Sequence, residues 1–114
     1  MDDCIFCKIA DKKISANVVY EDGEVLAFRD INPQAPVHIL LIPKKHIPSF
    51  MDIVEADKGL IAAIYKAAQK IAGDASVDKK GFRLVVNNGQ DAGQAVAHLH
   101  FHLLGGRKFS WPPG

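Results

Sequence analysis

The run "PVHILLIPKK", residues 36 to 45, constrains the fold more than any other stretch of this chain. Val37 to Ile42 are apolar at both alternating sets of positions except for His38, and Pro43 closes the run by removing a ladder donor. A strand with two apolar faces belongs in the middle of a sheet, so its neighbours must come from elsewhere in the sequence.

Those neighbours are legible. "NVVYEDGEVLAFRDI" contains two β-prone runs about a Glu-Asp-Gly-Glu turn, where Gly23 is expected to take the positive φ of a hairpin. "GFRLVVNNGQDAGQAVAHLHFHLLGG" reads as strand, polar loop, strand, with Asn88, Gly89 and Gly93 as breakers. From about Glu55 to Ala75, Leu60, Ile61, Ile64, Tyr65, Ala68, Ile71 and Ala72 follow helical spacing, opposite Lys66, Gln69 and Lys70. "CIFCKIADKKI" forms a short helix with Ile5, Phe6 and Ile9 on one side, too short to be stable alone. The expectation is an α+β fold: an antiparallel sheet of about five strands, one long helix on one face, and a short N-terminal helix.

At 114 residues, with no repeat, linker or low-complexity block, the chain reads as a single domain over 1–114 ending in an extended tail, 107–114. The tail carries the only tryptophan, Trp111, which is expected to dock on a second subunit. A net charge of +1 gives no reason to expect a nucleic-acid partner. The acidic start, "MDDCIFCKIADKK", and the lack of any apolar run near the ~18 residues of a membrane span point to a cytoplasmic protein without membrane contact.

Against this background "HLHFHLL" stands out, with His98, His100 and His102 at alternate positions. On a strand they share one face, while Leu99, Phe101 and Leu103 share the other. Packing alone does not select histidine in a strand. Two chemical readings remain. Imidazoles at i and i+2 can converge on one metal ion, or a neutral imidazole can attack an electrophile while its neighbours bind an anion and move protons.

Cys4 and Cys7, the only cysteines, are spaced C-x-x-C. Redox activity would ordinarily follow a strand and open a helix in a βαβ unit, which this N-terminus lacks; redox chemistry, packing as two small hydrophobes and metal ligation are the three readings, metal ligation the favoured one. On one helical turn the pair offers two thiolates to a tetrahedral zinc site that histidines would complete. Lys44 and Lys45 follow a strand end, where a solvated charged turn is the simpler reading than phosphate binding.

"HLHFHLL" resembles the alternating signature of the histidine triad family of nucleotide hydrolases and transferases. "FRDINPQAPVHILLIPKKHI", "VVNNGQDAGQ" and the ending "LLGGR…WPPG" are similar to its nucleotide-binding branch, Hint, and the likeness covers nearly the whole chain. The resemblance implies the histidine triad fold as a homodimer, its sheet continued across subunits and the Trp111 tail lying against the neighbour's active site. It implies a purine nucleoside phosphoramidase or hydrolase of acyl-nucleotides, acting through a covalent nucleotidyl-histidine at His100. His102 and His38 would contact the α-phosphate and position the nucleophile, with His98 completing the catalytic set. Asp30 would bind the ribose; Ile5, Phe6, Ile9, Phe28 and Ile31 would form the base pocket. Asn87 would lie on the phosphate side, and Gly93, Gln94, Ala95, Val96 and Trp111 complete the implied nucleotide-binding residues. By the same resemblance Cys4, Cys7, His46 and His98 would hold a structural zinc, while catalysis itself needs no cofactor.

One departure is visible: Ala95 stands where relatives of the mammalian type carry a serine near the leaving group. The competing reading is a non-catalytic nucleotide-binding or zinc-dependent interaction protein. Such a protein needs the pocket of Phe28, Asp30 and Ile31 but not a nucleophile, so retention of all three histidines favours the enzyme.

Overall fold

The central strand, β3, spans Val37–Pro43 in the computed structural model, which describes residues 3–114. Around it lie α1 (Ile5–Ala10), β1 (Val18–Glu21), β2 (Val25–Arg29), α2 (Lys58–Asp74), β4 (Phe82–Val86) and β5 (Phe101–Gly105). The five strands form one antiparallel sheet in the order β1-β2-β3-β5-β4. β3 therefore has a partner on each edge, as its two apolar faces require. No described helix is long and apolar enough to cross a membrane.

Alternation along β3 divides the interior in two. Ile39 and Leu41 face α2 and join Val25, Ala27, Leu99, Phe101 and Leu103 in the larger core. Leu40 and Ile42 face the other way, where Leu26 and Phe28 meet Phe6 and Ile9 of α1. The short helix is held by this second core. Ile5, expected on its buried side, is 47% exposed; Cys7 turns inward instead.

Alanines and long aliphatic side chains favour α2, and Leu60, Ile64, Ala67, Ala68, Ile71 and Ala72 form its buried stripe. Tyr65 lies outside that stripe and is exposed. The first turn expected of this helix, Glu55–Asp57, is 3-10 rather than α. There the buried Asp57 carboxylate accepts from the Val54 N–H and from Lys45 Nζ at 2.6 Å, fastening the turn after β3 to the helix start. Lys44 similarly pairs with Glu21. The helix ends with Ser76 at φ 60°, its N–H on Gly73 O and the Val77 N–H on Ala72 O, a Schellman arrangement. It drives Val77 into the core against Gly105, where an added Cβ would lie 2.8 Å from a Val77 methyl.

Two local expectations are corrected. Gly23 is not in the positive-φ region. The β1–β2 turn is shaped by Asp22, whose Oδ1 accepts the N–H groups of Glu24 and Val25, both at 2.8 Å. The histidine segment is also less regular than its period suggests, because β5 begins only at Phe101. His98 and His100 precede the ladder, and the Leu99 N–H bonds to Ile47 O instead. Sidedness survives this irregularity: Leu99, Phe101 and Leu103 enter the large core, and the imidazoles point away from it.

Candidate active site and metal centre

The three imidazoles divide between two destinations. His98 Nε2 donates to the carbonyl of Pro43 at 2.8 Å, so the lone pair of this neutral ring lies on Nδ1. That nitrogen faces Cys4 Sγ at 3.4 Å, Cys7 Sγ at 3.6 Å and His46 Nδ1 at 3.2 Å; His46 Nδ1 is in turn 3.2 Å from Cys7 Sγ. Metal–sulfur bonds near 2.3 Å and metal–nitrogen bonds near 2.0–2.1 Å give tetrahedral edges of roughly 3.3 Å (N to N) and 3.5 Å (N to S). All four ligand atoms lie within 4.8 Å of one another. Cys4, Cys7, His46 and His98 thus have the donor set and spacing of a closed four-coordinate metal site, and the Pro43 carbonyl orients one ligand from behind. Burial first, then the nearby His46 and His100, lowers the His98 pKa and keeps this ligand neutral. Burial raises that of Cys7 in the metal-free protein.

His100 and His102 instead line a cavity of about 600 Å³ beside the second core. His100 Nδ1 donates to the carbonyl of His98 at 2.7 Å, which leaves the Nε2 lone pair free. Phe6 stands edge-on to this ring at 5.1 Å and to Phe28 at 5.6 Å. His38 Nδ1 accepts the Gln34 N–H, so its proton sits on Nε2 and is donated to His102 Nδ1 at 2.9 Å. Neutral His102 then carries its own proton on Nε2. Asp30 Oδ2 lies 3.5 Å from His38 Nε2, closing a second, smaller cluster of Asp30, His38 and His102.

Of the residues expected at a nucleotide site, Ile5, Phe6, Ile9, Phe28, Asp30, Ile31, Ala95, Val96, His100 and His102 line the cavity. Ile31 does so from its rim, fully exposed. His38 does not line it, because the ring is committed to Gln34 and His102. Asn87, Gly93, Gln94 and Trp111 also lie outside the lining. The Gln94 amide is already engaged by the Pro48 and Val96 carbonyls and the Gly89 N–H, bracing the loop. Trp111 is 82% exposed. Sequence reading missed Leu40 and the segment from Ile14 to Asn17 in the wall. Leu40 had a signal, since it alternates with His38 on β3; the segment has no periodicity.

Burial, and then the positive charge that His100 and His38 would add, hold His102 far below the ordinary imidazole range, at about 4. An unfolded chain would protonate this group near pH 6.5. Between those values the unfolded state binds more protons than the native one, so stability present above about pH 6.5 is lost as the pH falls toward 4. We expect the Tm of metal-free protein to decline steadily over that window, and His102→Asn to flatten the decline. Equal slopes for both proteins in thermal scans would contradict this.

A family model described as the HIT domain matches residues 11–109. An uncharacterized HIT-like protein of Synechocystis is 51% identical over 99% of this chain and 98% of its own length. The crystal structure of a HIT family hydrolase from Legionella pneumophila superposes with a TM-score of 0.97 at 52% identity, covering 98% of this chain and all of that one. A histidine triad nucleotide-binding protein from Candida albicans is similar at greater distance, with a TM-score of 0.82 and 31% identity over 96% of this chain and 82% of that one. The chain belongs to the HIT domain family.

Proposed function

We propose that this protein hydrolyses purine nucleoside phosphoramidates or acyl-nucleotides through a covalent nucleotidyl-histidine at His100, as a member of the Hint branch. The carrying observation is the 2.7 Å hydrogen bond from His100 Nδ1 to the His98 carbonyl, which commits Nδ1 and leaves Nε2 as the nitrogen available for attack on a ring that lines the cavity. The neutral form of an imidazole so held attacks through Nε2 without a further base.

The purine packs against Phe6, Ile9 and Phe28, and the Asp30 carboxylate accepts from the ribose hydroxyls. His102 donates from Nε2 to a non-bridging oxygen of the α-phosphate, and His38 acts behind it by fixing that tautomer. His100 Nε2 attacks phosphorus as the bond to the amine nitrogen or acyl oxygen breaks, the amine leaving with a proton taken from water and the acyl group leaving as its carboxylate. Water then cleaves the phosphorus–nitrogen bond, releasing the nucleotide and the free imidazole. Neither step draws on a metal. Zinc in the Cys4, Cys7, His46 and His98 cluster is structural in this reading, pinning α1 to the sheet. A homodimer follows from the same resemblance, with the exposed Trp111 tail reaching the neighbour's cavity.

Brief reaction with a nucleotide substrate labelled at the α-phosphate, followed by a denaturing quench, is expected to leave label on the peptide containing His100. Label on another residue, or none at any quench time during active turnover, would exclude this mechanism. Ala95 lines the same cavity as His100 and has no proton to offer a departing amine. Ala95→Ser is expected to raise kcat/KM for an adenosine phosphoramidate, by up to the ~100-fold that marks the lower end of positioned proton transfer. An unchanged or lower value removes the idea.

A further inference from the structure

Two short paths join the Cys4–Cys7 pair to His100. The first runs through His98, whose Nδ1 faces both sulfurs and whose carbonyl accepts the His100 Nδ1–H at 2.7 Å. The second runs through α1, which carries Cys7 and, next to it, Phe6 with its ring edge-on to His98 at 5.9 Å and to His100 at 5.1 Å. A change at the sulfurs therefore reaches both the nucleophile and the wall it shares with the base pocket.

The sulfurs are placed to change. They lie within 4.8 Å of each other, on a backbone close enough for the Cys7 N–H to reach Cys4 Sγ at 3.4 Å. Cys7 is buried, whereas Cys4 is half-buried and borders a second cavity, about 410 Å³, that it shares with Asp3, His46 and Ala95. A small oxidant can enter there and meet Cys4 first.

We infer that Cys4 and Cys7 form a peroxide-sensitive dithiol whose oxidation dismantles the Cys4–Cys7–His46–His98 cluster and, through His98 and Phe6, disables the nucleotide site. The inference rests on the reading above, in which the cluster is metal-loaded and the larger cavity takes a nucleotide.

The Cys4 thiolate attacks one peroxide oxygen, the O–O bond breaks, and hydroxide leaves a sulfenic acid on Cys4. The Cys7 thiolate then attacks the Cys4 sulfur and expels a second hydroxide. In sum two thiolates, one hydrogen peroxide and two protons become one disulfide and two waters, the sulfurs supplying two electrons to the peroxide. An S–S bond of about 2.05 Å draws both sulfurs out of their positions facing the imidazoles and removes their charge. His46 and His98 alone are too few ligands to retain a tetrahedral ion. His98 then loses its tether on the Nδ1 side, and with it the fixed carbonyl that orients His100.

The test uses full-length, reduced, zinc-loaded protein treated with equimolar hydrogen peroxide in the presence of a metallochromic chelator. Four readouts are followed: zinc release, intact mass, AMP affinity and the downfield proton signal of the His100 Nδ1–H. The expected result is a mass lower by two hydrogens with stoichiometric zinc release and loss of the His100 signal. AMP affinity should fall by up to ~10-fold, the scale of losing the one aromatic contact that Phe6 supplies to the wall. Dithiothreitol with zinc should restore all four, which separates the switch from sulfoxidation of exposed Met51, a gain of oxygen that dithiothreitol leaves in place. Zinc retained under excess peroxide, or a disulfide formed with the His100 signal and AMP affinity unchanged, overturns the inference. Reduced protein that binds AMP without hydrolysing its conjugates would remove the hydrolase reading instead, and the mass, zinc and proton signals would still decide the switch.

Discussion

His100→Ala protein is expected to release adenylate from a phosphoramidate at least ~10⁴-fold more slowly than wild type, the scale of losing a nucleophile, while binding AMP within about a factor of ten, ~1.4 kcal/mol. The asymmetry follows from what the ring touches. Its Nδ1 is spent on the His98 carbonyl and its body packs beside Phe6, so removal deletes the attacking nitrogen and leaves Phe28, Asp30 and His102 around the nucleotide. The substitution also strands the His98 carbonyl, so His100→Gln should be measured beside it as a less cavity-forming change. Stopped-time product assays and AMP titrations of both variants decide the matter. Catalysis persisting in both would eliminate His100 as nucleophile, and a parallel collapse of AMP affinity in both would make the ring a binding element. Unchanged AMP binding with no turnover even in wild type would favour the non-catalytic reading.

Removal of the zinc proposed for the Cys4–Cys7–His46–His98 cluster is expected to have the largest effect on stability. Protein purified without a histidine tag should carry close to one zinc per chain, and content below about a tenth of an equivalent in protein never exposed to chelator would count against the site. At a free zinc concentration of ~1,000 times Kd, binding to the native state alone stabilises by ~4 kcal/mol, and each kcal/mol moves the Tm of a domain this size by ~4 °C. A drop of roughly 15 °C on chelation is therefore expected. The sheet and α2 should remain folded below that Tm, because their core does not include the ligands' sulfurs. Cys7→Ser should begin at the lower Tm and no longer respond to zinc. Identical melting with and without zinc in wild type would exclude a structural metal.

The helix, the strands and the sidedness of the histidine segment were legible because each is a periodic pattern carried by neighbouring residues. Val37 to Ile42 announce a strand buried on both faces, and Leu99, Phe101 and Leu103 announce a core face whether or not hydrogen bonds form a ladder there. The ends of elements were harder. Glu55–Asp57 is a 3-10 turn whose Asp57 carboxylate binds Lys45 and the Val54 N–H, and the hairpin turn is held by Asp22 rather than by Gly23.

What the amino-acid order settled alone was the element types, the inward and outward faces, and the donor atoms available: two thiols and five imidazoles. Tertiary structure decided which imidazole serves which centre. His98 joins cysteines more than ninety positions away, while His100, two residues on, turns to the cavity, and His38 meets His102 only because Leu40 pairs with His102 across β3 and β5. Period-two spacing can say that three rings leave the same side of a chain. Which nitrogen keeps a proton depends on the carbonyls of Pro43 and His98 and the N–H of Gln34, groups that meet these rings only once sheet register and packing bring them into hydrogen-bonding distance.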